Sequence, residues 1–173
     1  GSTGSLHAVL GIPDSLDEGS YTLAAIALDG TVLDSRQIAV YSREFRRETI
    51  RLNGTMSELR RLDSERRFEE AKQLKQLLGL SNRDALHHFG GFRVPVDEVR
   101  ITSHFGDRRL FVYIDGTSAR SVHWGVDFAG PEGTPVMSSG RGVVAFAGNR
   151  LITGNTVVIE HLPGVYSLYY HLA

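Results

Sequence analysis

The run His123-Trp124-Gly125-Val126-Asp127 places an imidazole and a carboxylate four residues apart, with a glycine between them. Those two groups suit a borderline cation such as zinc, and a chain without cysteine offers no thiolate to compete as a ligand. Spacing alone makes no site. In a straight strand, positions four apart share a face but lie about 13 Å from each other at roughly 3.3 Å per residue. Two ligands of one zinc ion must each come within about 2 Å of it. The backbone therefore has to bend between them, and Gly125 is the residue expected to permit the bend. The plain alternative is a histidine and an aspartate that merely share a loop.

The remaining histidines sort by pattern. In residues 155–161 the alternation puts Asn155, Val157, Ile159 and His161 on one largely apolar face, so His161 is expected to be packed and hydrogen-bonded at a strand end. In residues 165–172, Leu168, Tyr170 and Leu172 share one face while Ser167, Tyr169 and His171 share the other. His171 thus falls on the more polar side, where an imidazole can meet substrate or solvent. It is the better functional candidate of the two. His87 and His88, adjacent at a loop entry, read as surface or satisfied histidines.

The elements that must position these groups follow from the periodicity. Residues 21–28 and 31–40 are strand-like, and Asp29-Gly30 between them is a favoured two-residue hairpin turn. Gly11-Ile12-Pro13-Asp14 reads as a turn before the hairpin. Two or three strands cannot bury a sandwich core, so this piece either leans on the rest of the chain or, the favoured expectation, is the tail of a domain that begins upstream. Residues 56–78 change period: Leu59, Leu62, Phe68, Ala71, Leu74, Leu77 and Leu78 fall at helical spacing, with Asp63 or Ser64 capping a second segment and Gly79 ending it. Arg43, Arg46, Arg47, Arg60, Arg61, Arg66 and Arg67 are interleaved with Glu44, Glu48, Glu58, Glu65, Glu69 and Glu70, the pattern of a solvated, ion-paired face. From Arg93 the pattern is β again: residues 94–96 and 99–103 lead into Phe105-Gly106-Asp107-Arg108, followed by an expected polar loop through Ser121, a turn cluster over residues 130–136 and strands at 142–148, 155–161 and 165–172. The fold class is therefore mainly β: a partial β-sandwich piece over residues 1–42, a helical connector over 43–91, and an antiparallel β domain over 92–173.

Composition bounds the partners. The chain has 173 residues, 41% of them hydrophobic and 23% charged, enough to form at least one packed core. A net charge of −1 gives no electrostatic case for nucleic acid or an anionic membrane. No apolar run reaches spanning length. Gly1-Ser2-Thr3-Gly4-Ser5 reads as a flexible lead and not as a signal peptide.

Four pieces in order resemble the lysostaphin-like (LytM-type) zinc metallopeptidases that cut peptide cross-bridges of the bacterial cell wall. They are Ile101-Thr102-Ser103-His104-Phe105-Gly106-Asp107-Arg108; His123-Trp124-Gly125-Val126-Asp127-Phe128-Ala129; Gly133-Thr134-Pro135-Val136 with Gly140-Arg141-Gly142-Val143-Val144; and Gly154-Asn155-Thr156-Val157-Val158-Ile159-Glu160-His161 followed by Leu168-Tyr169-Tyr170-His171-Leu172. The resemblance implies an antiparallel catalytic domain of the duplicated-hybrid-motif type over residues 92–173, preceded by an immunoglobulin-like segment. It also implies Zn2+ as cofactor, His123 and Asp127 as metal ligands, and His171 beside the metal as a catalytic histidine, with Tyr169 two residues before it. His104 stands where the family more often has a small residue or proline. The implied partner is the peptide cross-bridge of peptidoglycan, and the implied location the periplasm or cell envelope.

One departure bears on activity. The family continues beyond the Tyr-x-His-Leu strand to a His-x-His motif that supplies a third ligand, whereas this sequence stops at Ala173. The domain is thus expected to be C-terminally incomplete and the chain a fragment inactive alone. Two further readings stay open: a non-catalytic LytM-type regulator of another wall hydrolase, and a sugar-phosphotransfer carrier using a phosphorylatable histidine.

Overall fold

The computed structural model describes residues 9–13, 15–61, 65–97 and 99–173. Leu62, the caps assigned to Asp63 or Ser64, Asp14 of the first turn and the N-terminal lead all lie outside the described residues. Ten strands and two helices form among the described residues, so the mainly β class read from the sequence is the one observed.

β1 (Gly19–Ile26) and β2 (Val32–Val40) make the expected antiparallel hairpin. Its turn is one residue longer than the Asp29-Gly30 pair. Ala27 N donates to Thr31 O at 2.8 Å, Gly30 N donates to Ala27 O at 2.9 Å, and Gly30 takes a φ of 89°. That is a three-residue loop closed by a left-handed glycine, stitched by Thr31 N donating to Asp29 Oδ1 at 2.9 Å.

β3 (Arg47–Arg51) is a strand that the sequence pattern did not indicate. It lies parallel to β5 (Arg108–Val112), which pairs antiparallel with β6 (Ser118–Val122). Residues expected as a polar loop therefore form a hairpin, and one parallel pair enters an otherwise antiparallel fold. These strands lack apolar alternation because part of their ladder is held by charge: Glu48 stands opposite Arg109, and their side chains meet at 2.8 Å.

α1 (Gly54–Arg61) begins at Asn53, whose side-chain oxygen accepts from Met56 N at 2.9 Å and fills one unpaired donor of the first turn. Its last turn carries Arg60 and Arg61, a favourable sign at a helix C-terminus. Arg60 lies 3.6 Å over the Phe111 ring and Arg61 4.3 Å over Tyr113, so the helix end packs on the β5–β6 hairpin through cation–π contacts. Arg61 also pairs with Asp115 at 2.8 Å. Hydrogen bonds from the Thr117 hydroxyl and then from Arg61 hold the Asp115 carboxyl down to about 2. α2 (Glu65–Leu78) carries the expected Arg66–Glu70 pair at 2.7 Å. The other Glu70 oxygen accepts from Leu151 N at 2.8 Å, which ties the helix to the last sheet.

That sheet runs β10 (Val165–Leu172), β9 (Gly154–Leu162), β8 (Val143–Arg150), all antiparallel. The run Thr156-Val157-Val158-Ile159 is stiff at χ1 and suits the central strand. Thr156, Val158, Ile159 and His161 are buried there. Full burial of a side chain such as Val158 contributes roughly 1.5–3 kcal/mol. Residues 85–96 cover the sheet's end: Phe92 meets the His161 ring at 5.0 Å and His88 meets Phe92 at 4.9 Å. Finally, β4 (Arg100–Ser103) and β7 (Asp127–Ala129) form a short antiparallel pair that sets Ser103 opposite Asp127.

The turn between β4 and β5 is the tightest point of this frame. Gly106 has a φ of 88°, and a Cβ there would stand 2.1 Å from the Phe45 ring. Gly106→Ala combines backbone strain with overpacking. Chemical denaturation should show a loss of roughly 1–3 kcal/mol, and an unchanged midpoint would contradict the packing described.

Candidate metal centre

β6 and β7 deliver the two ends of the His123–Asp127 run, and the chain turns between them at Gly125. His123 Nε2 then lies 3.1 Å from Asp127 Oδ1. Two donors each about 2.0–2.1 Å from one tetrahedral zinc ion would stand roughly 3.3 Å apart. The observed separation is close to that. Gly125 does not take the left-handed conformation that its role as a hinge suggested. A Cβ on it would meet only His123 Nε2, at 4.0 Å.

The imidazole is fixed from behind. His123 Nδ1 donates to His104 O at 3.0 Å, and a carbonyl can only accept, so the proton of the neutral ring sits on Nδ1. The His123 backbone is pinned on both sides, its N donating to Asp107 O at 2.9 Å and its carbonyl accepting from Gly106 N at 2.8 Å. Asp107, itself buried, accepts from His104 N at 2.9 Å and so fixes the carbonyl-bearing turn. With Nδ1 protonated, the Nε2 lone pair points at a carboxylate oxygen. Two lone pairs face each other stably only with a cation between them, either a proton on Nε2 or a metal ion. The donor set therefore fits a metal as two of its ligands.

Asp127 is held by its other oxygen. Arg109 Nη2 donates to Asp127 Oδ2 at 3.0 Å and to Ser103 Oγ at 2.6 Å. Burial pushes the Asp127 carboxyl up, but the Arg109 hydrogen bond, with the charges of His123 and Arg109 and a bond from Ser103, carries it below its ordinary 3.8. The Asp127 carboxyl is therefore ionised at neutral pH. The His123 side chain is 13% exposed and that of Asp127 49%, so the pair opens to solvent on the aspartate side.

The other sequence candidates are placed differently. His161 is fully buried as expected, with Nδ1 2.7 Å from Arg141 O and Nε2 2.8 Å from Ser167 Oγ. Ser167 in turn meets the Tyr169 hydroxyl at 2.9 Å, which accepts from Ser139 N at 2.7 Å. His88 has both ring nitrogens engaged, with Gly91 O and Arg141 N. His171 lies at a break in the strand: the β9–β10 register shifts between Tyr169 and Leu172, and His171 takes a φ of 56°. Simple alternation therefore stops before it, and the face assigned to it by period two does not hold. Its N donates to Thr153 O at 2.8 Å, and its ring stands beside Gly154. No hydrogen bond or ion pair joins it to His123 or Asp127 among the described residues, which also gather no group of three or more metal-ligating side chains. Arg109 and Glu48 were missed from the sequence, where Glu48 read as a member of an ion-paired face and Arg109 fell in an expected polar loop.

Residues 121–173 match Peptidase family M23. The chain is 40% identical over 89 residues to the DD-carboxypeptidase/endopeptidase Mpg of Neisseria meningitidis, a match covering 51% of this chain and 20% of that protein. It is 45% identical over 82 residues to the peptidoglycan DD-endopeptidase ShyA of Vibrio cholerae, covering 47% of this chain and 18% of that protein. The chain thus spans about a fifth of the curated relatives it matches. A crystal structure assigned by name to peptidase M23 from Pseudomonas aeruginosa superposes with a TM-score of 0.62 at 24% identity, over 95% of this chain and 57% of that one, and shares its fold.

Because Gly125 has neither a left-handed φ nor a crowded Cβ position, Gly125→Ala should be tolerated. Its stability should stay within about 0.5 kcal/mol of the parent, with the His123 ring signals unmoved in an NMR spectrum. A lost or shifted His123 signal would show that the bend does need glycine.

Proposed function

We propose, from the match of residues 121–173 to Peptidase family M23, that this chain carries the core of a zinc-dependent endopeptidase acting on peptide cross-links of bacterial peptidoglycan in the periplasm or cell envelope. The similarity to proteins named as peptidoglycan endopeptidases supports the substrate class. The observation that carries the reading is the 3.1 Å approach of His123 Nε2 to Asp127 Oδ1 with Nδ1 already committed to a carbonyl.

A zinc ion held there with an open position would lower the pKa of a bound water from about 15.7 toward ~7 and polarise the scissile carbonyl. The chain's own residues do the positioning. The His104 carbonyl selects the His123 tautomer that turns Nε2 outward, and Ser103 and Arg109 keep Asp127 ionised and aimed. His171 is assigned the proton transfer, since imidazole is the side chain suited to it near neutral pH. Its support here is conformational: among the described residues it is the non-glycine position with a left-handed backbone, and such strain collects at functional sites.

A non-catalytic regulatory role is the second reading, favoured by the lack of a third ligand among the described residues. Metal analysis and digestion of purified sacculi separate the two. Measured on a protein that carries the family's full catalytic domain, the enzyme reading expects about one zinc per chain, release of soluble peptidoglycan fragments, and loss of both in His123→Ala. Fragment release undiminished in His123→Ala would refute the metal role. A folded protein that neither binds zinc nor releases fragments would favour the regulator.

A further inference from the structure

We propose that Arg109 is a positioning residue for the metal pair, and that Glu48 on β3 completes the site by neutralising it. The inference rests on the reading of His123 and Asp127 as metal ligands. Arg109 occupies Oδ2 of Asp127 at 3.0 Å, so only Oδ1 faces His123. Asp127 is thereby restricted to one coordinating oxygen. The same Nη2 reaches Ser103 Oγ at 2.6 Å, and Nε reaches Glu48 Oε1 at 2.8 Å. The planar guanidinium serves these divergent partners from two fixed nitrogens, whereas an ammonium would have to reach all three from one nitrogen on a flexible stem.

A fixed cation beside a metal site would by itself repel the metal. Glu48 removes that objection. It lies in register opposite Arg109, 61 residues away in sequence, with its side chain 22% exposed against 17% for the arginine, so solvent screens the pair only in part. What Arg109 then contributes to the site is orientation without net charge. The strand β3, which precedes both helices, is in this way built into the centre formed by β4, β6 and β7. Partners that orient a metal ligand typically cost about 10–100-fold in metal affinity when removed.

The test is the zinc affinity of the whole chain, measured by competition with a chromophoric chelator, for the parent and three variants. Arg109→Lys retains the charge and loses the fork, and should bind zinc at least about tenfold more weakly. Glu48→Gln, nearly isosteric, should also weaken binding, because it leaves the Arg109 charge opposed by Asp127 alone, in competition with the metal for that carboxylate. Affinity is compared at a temperature where each metal-free variant is fully folded by circular dichroism, so that a weaker β3–β5 ladder in Glu48→Gln does not register as a loss of zinc affinity. His123→Ala is the control. If the parent binds zinc and His123→Ala does not, yet Arg109→Lys and Glu48→Gln bind as tightly as the parent, this inference is overturned and the metal reading stands. If the parent binds no zinc, both fall.

Discussion

His123 and Asp127 approach to 3.1 Å with partners holding the outer side of each, and that doubly fixed pair is the constraint the surrounding structure serves. Left alone, an imidazole would turn either nitrogen toward the carboxylate, and the carboxylate would turn toward water. Here the His104 carbonyl takes Nδ1 and the Arg109 guanidinium takes Oδ2. What remains is one nitrogen lone pair and one carboxylate oxygen facing the same point. The turn at residues 104–107, the β5–β6 ladder and the β4–β7 pair all contribute backbone to hold that arrangement.

The supporting frame draws on distant parts of the chain. β3 lies beside β5 and brings Glu48 to Arg109, while α1 clamps the far end of the β5–β6 hairpin through Arg60 on Phe111 and Arg61 on Tyr113. The second sheet is organised separately around β9, where buried His161 is satisfied by Arg141 O and by the Ser167–Tyr169–Ser139 chain. That network uses every polar atom of the ring, which is why His161 reads as architecture while His123, with one nitrogen turned outward, reads as chemistry.

What could be read from the sequence follows from where apolar burial dictates pattern. β9 and β10 alternate or run apolar where they bury Val158, Ile159 and Tyr169, and α2 shows its helical spacing without burying a side chain. β3, β5 and β6 gave no such signal: Phe111 is buried there, but Arg47, Glu48, Arg108, Arg109 and Arg120 make the ladder read as charged, and the Glu48–Arg109 ion pair supplies part of its pairing. A parallel pairing between residues 61 apart leaves no local trace either, so Arg109 and Glu48 could not be assigned to the centre from spacing. His123 and Asp127 were legible because a bend between β6 and β7 suffices to join them. His171 was legible only in part, since its backbone leaves the strand alternation at that residue.

The most direct test is a crystal structure of the zinc-loaded protein with anomalous data at the zinc edge. The account requires a peak about 2 Å from both His123 Nε2 and a single oxygen of Asp127, with Nδ1 still bonded to the His104 carbonyl. A peak on Nδ1, or one remote from Asp127, would contradict it.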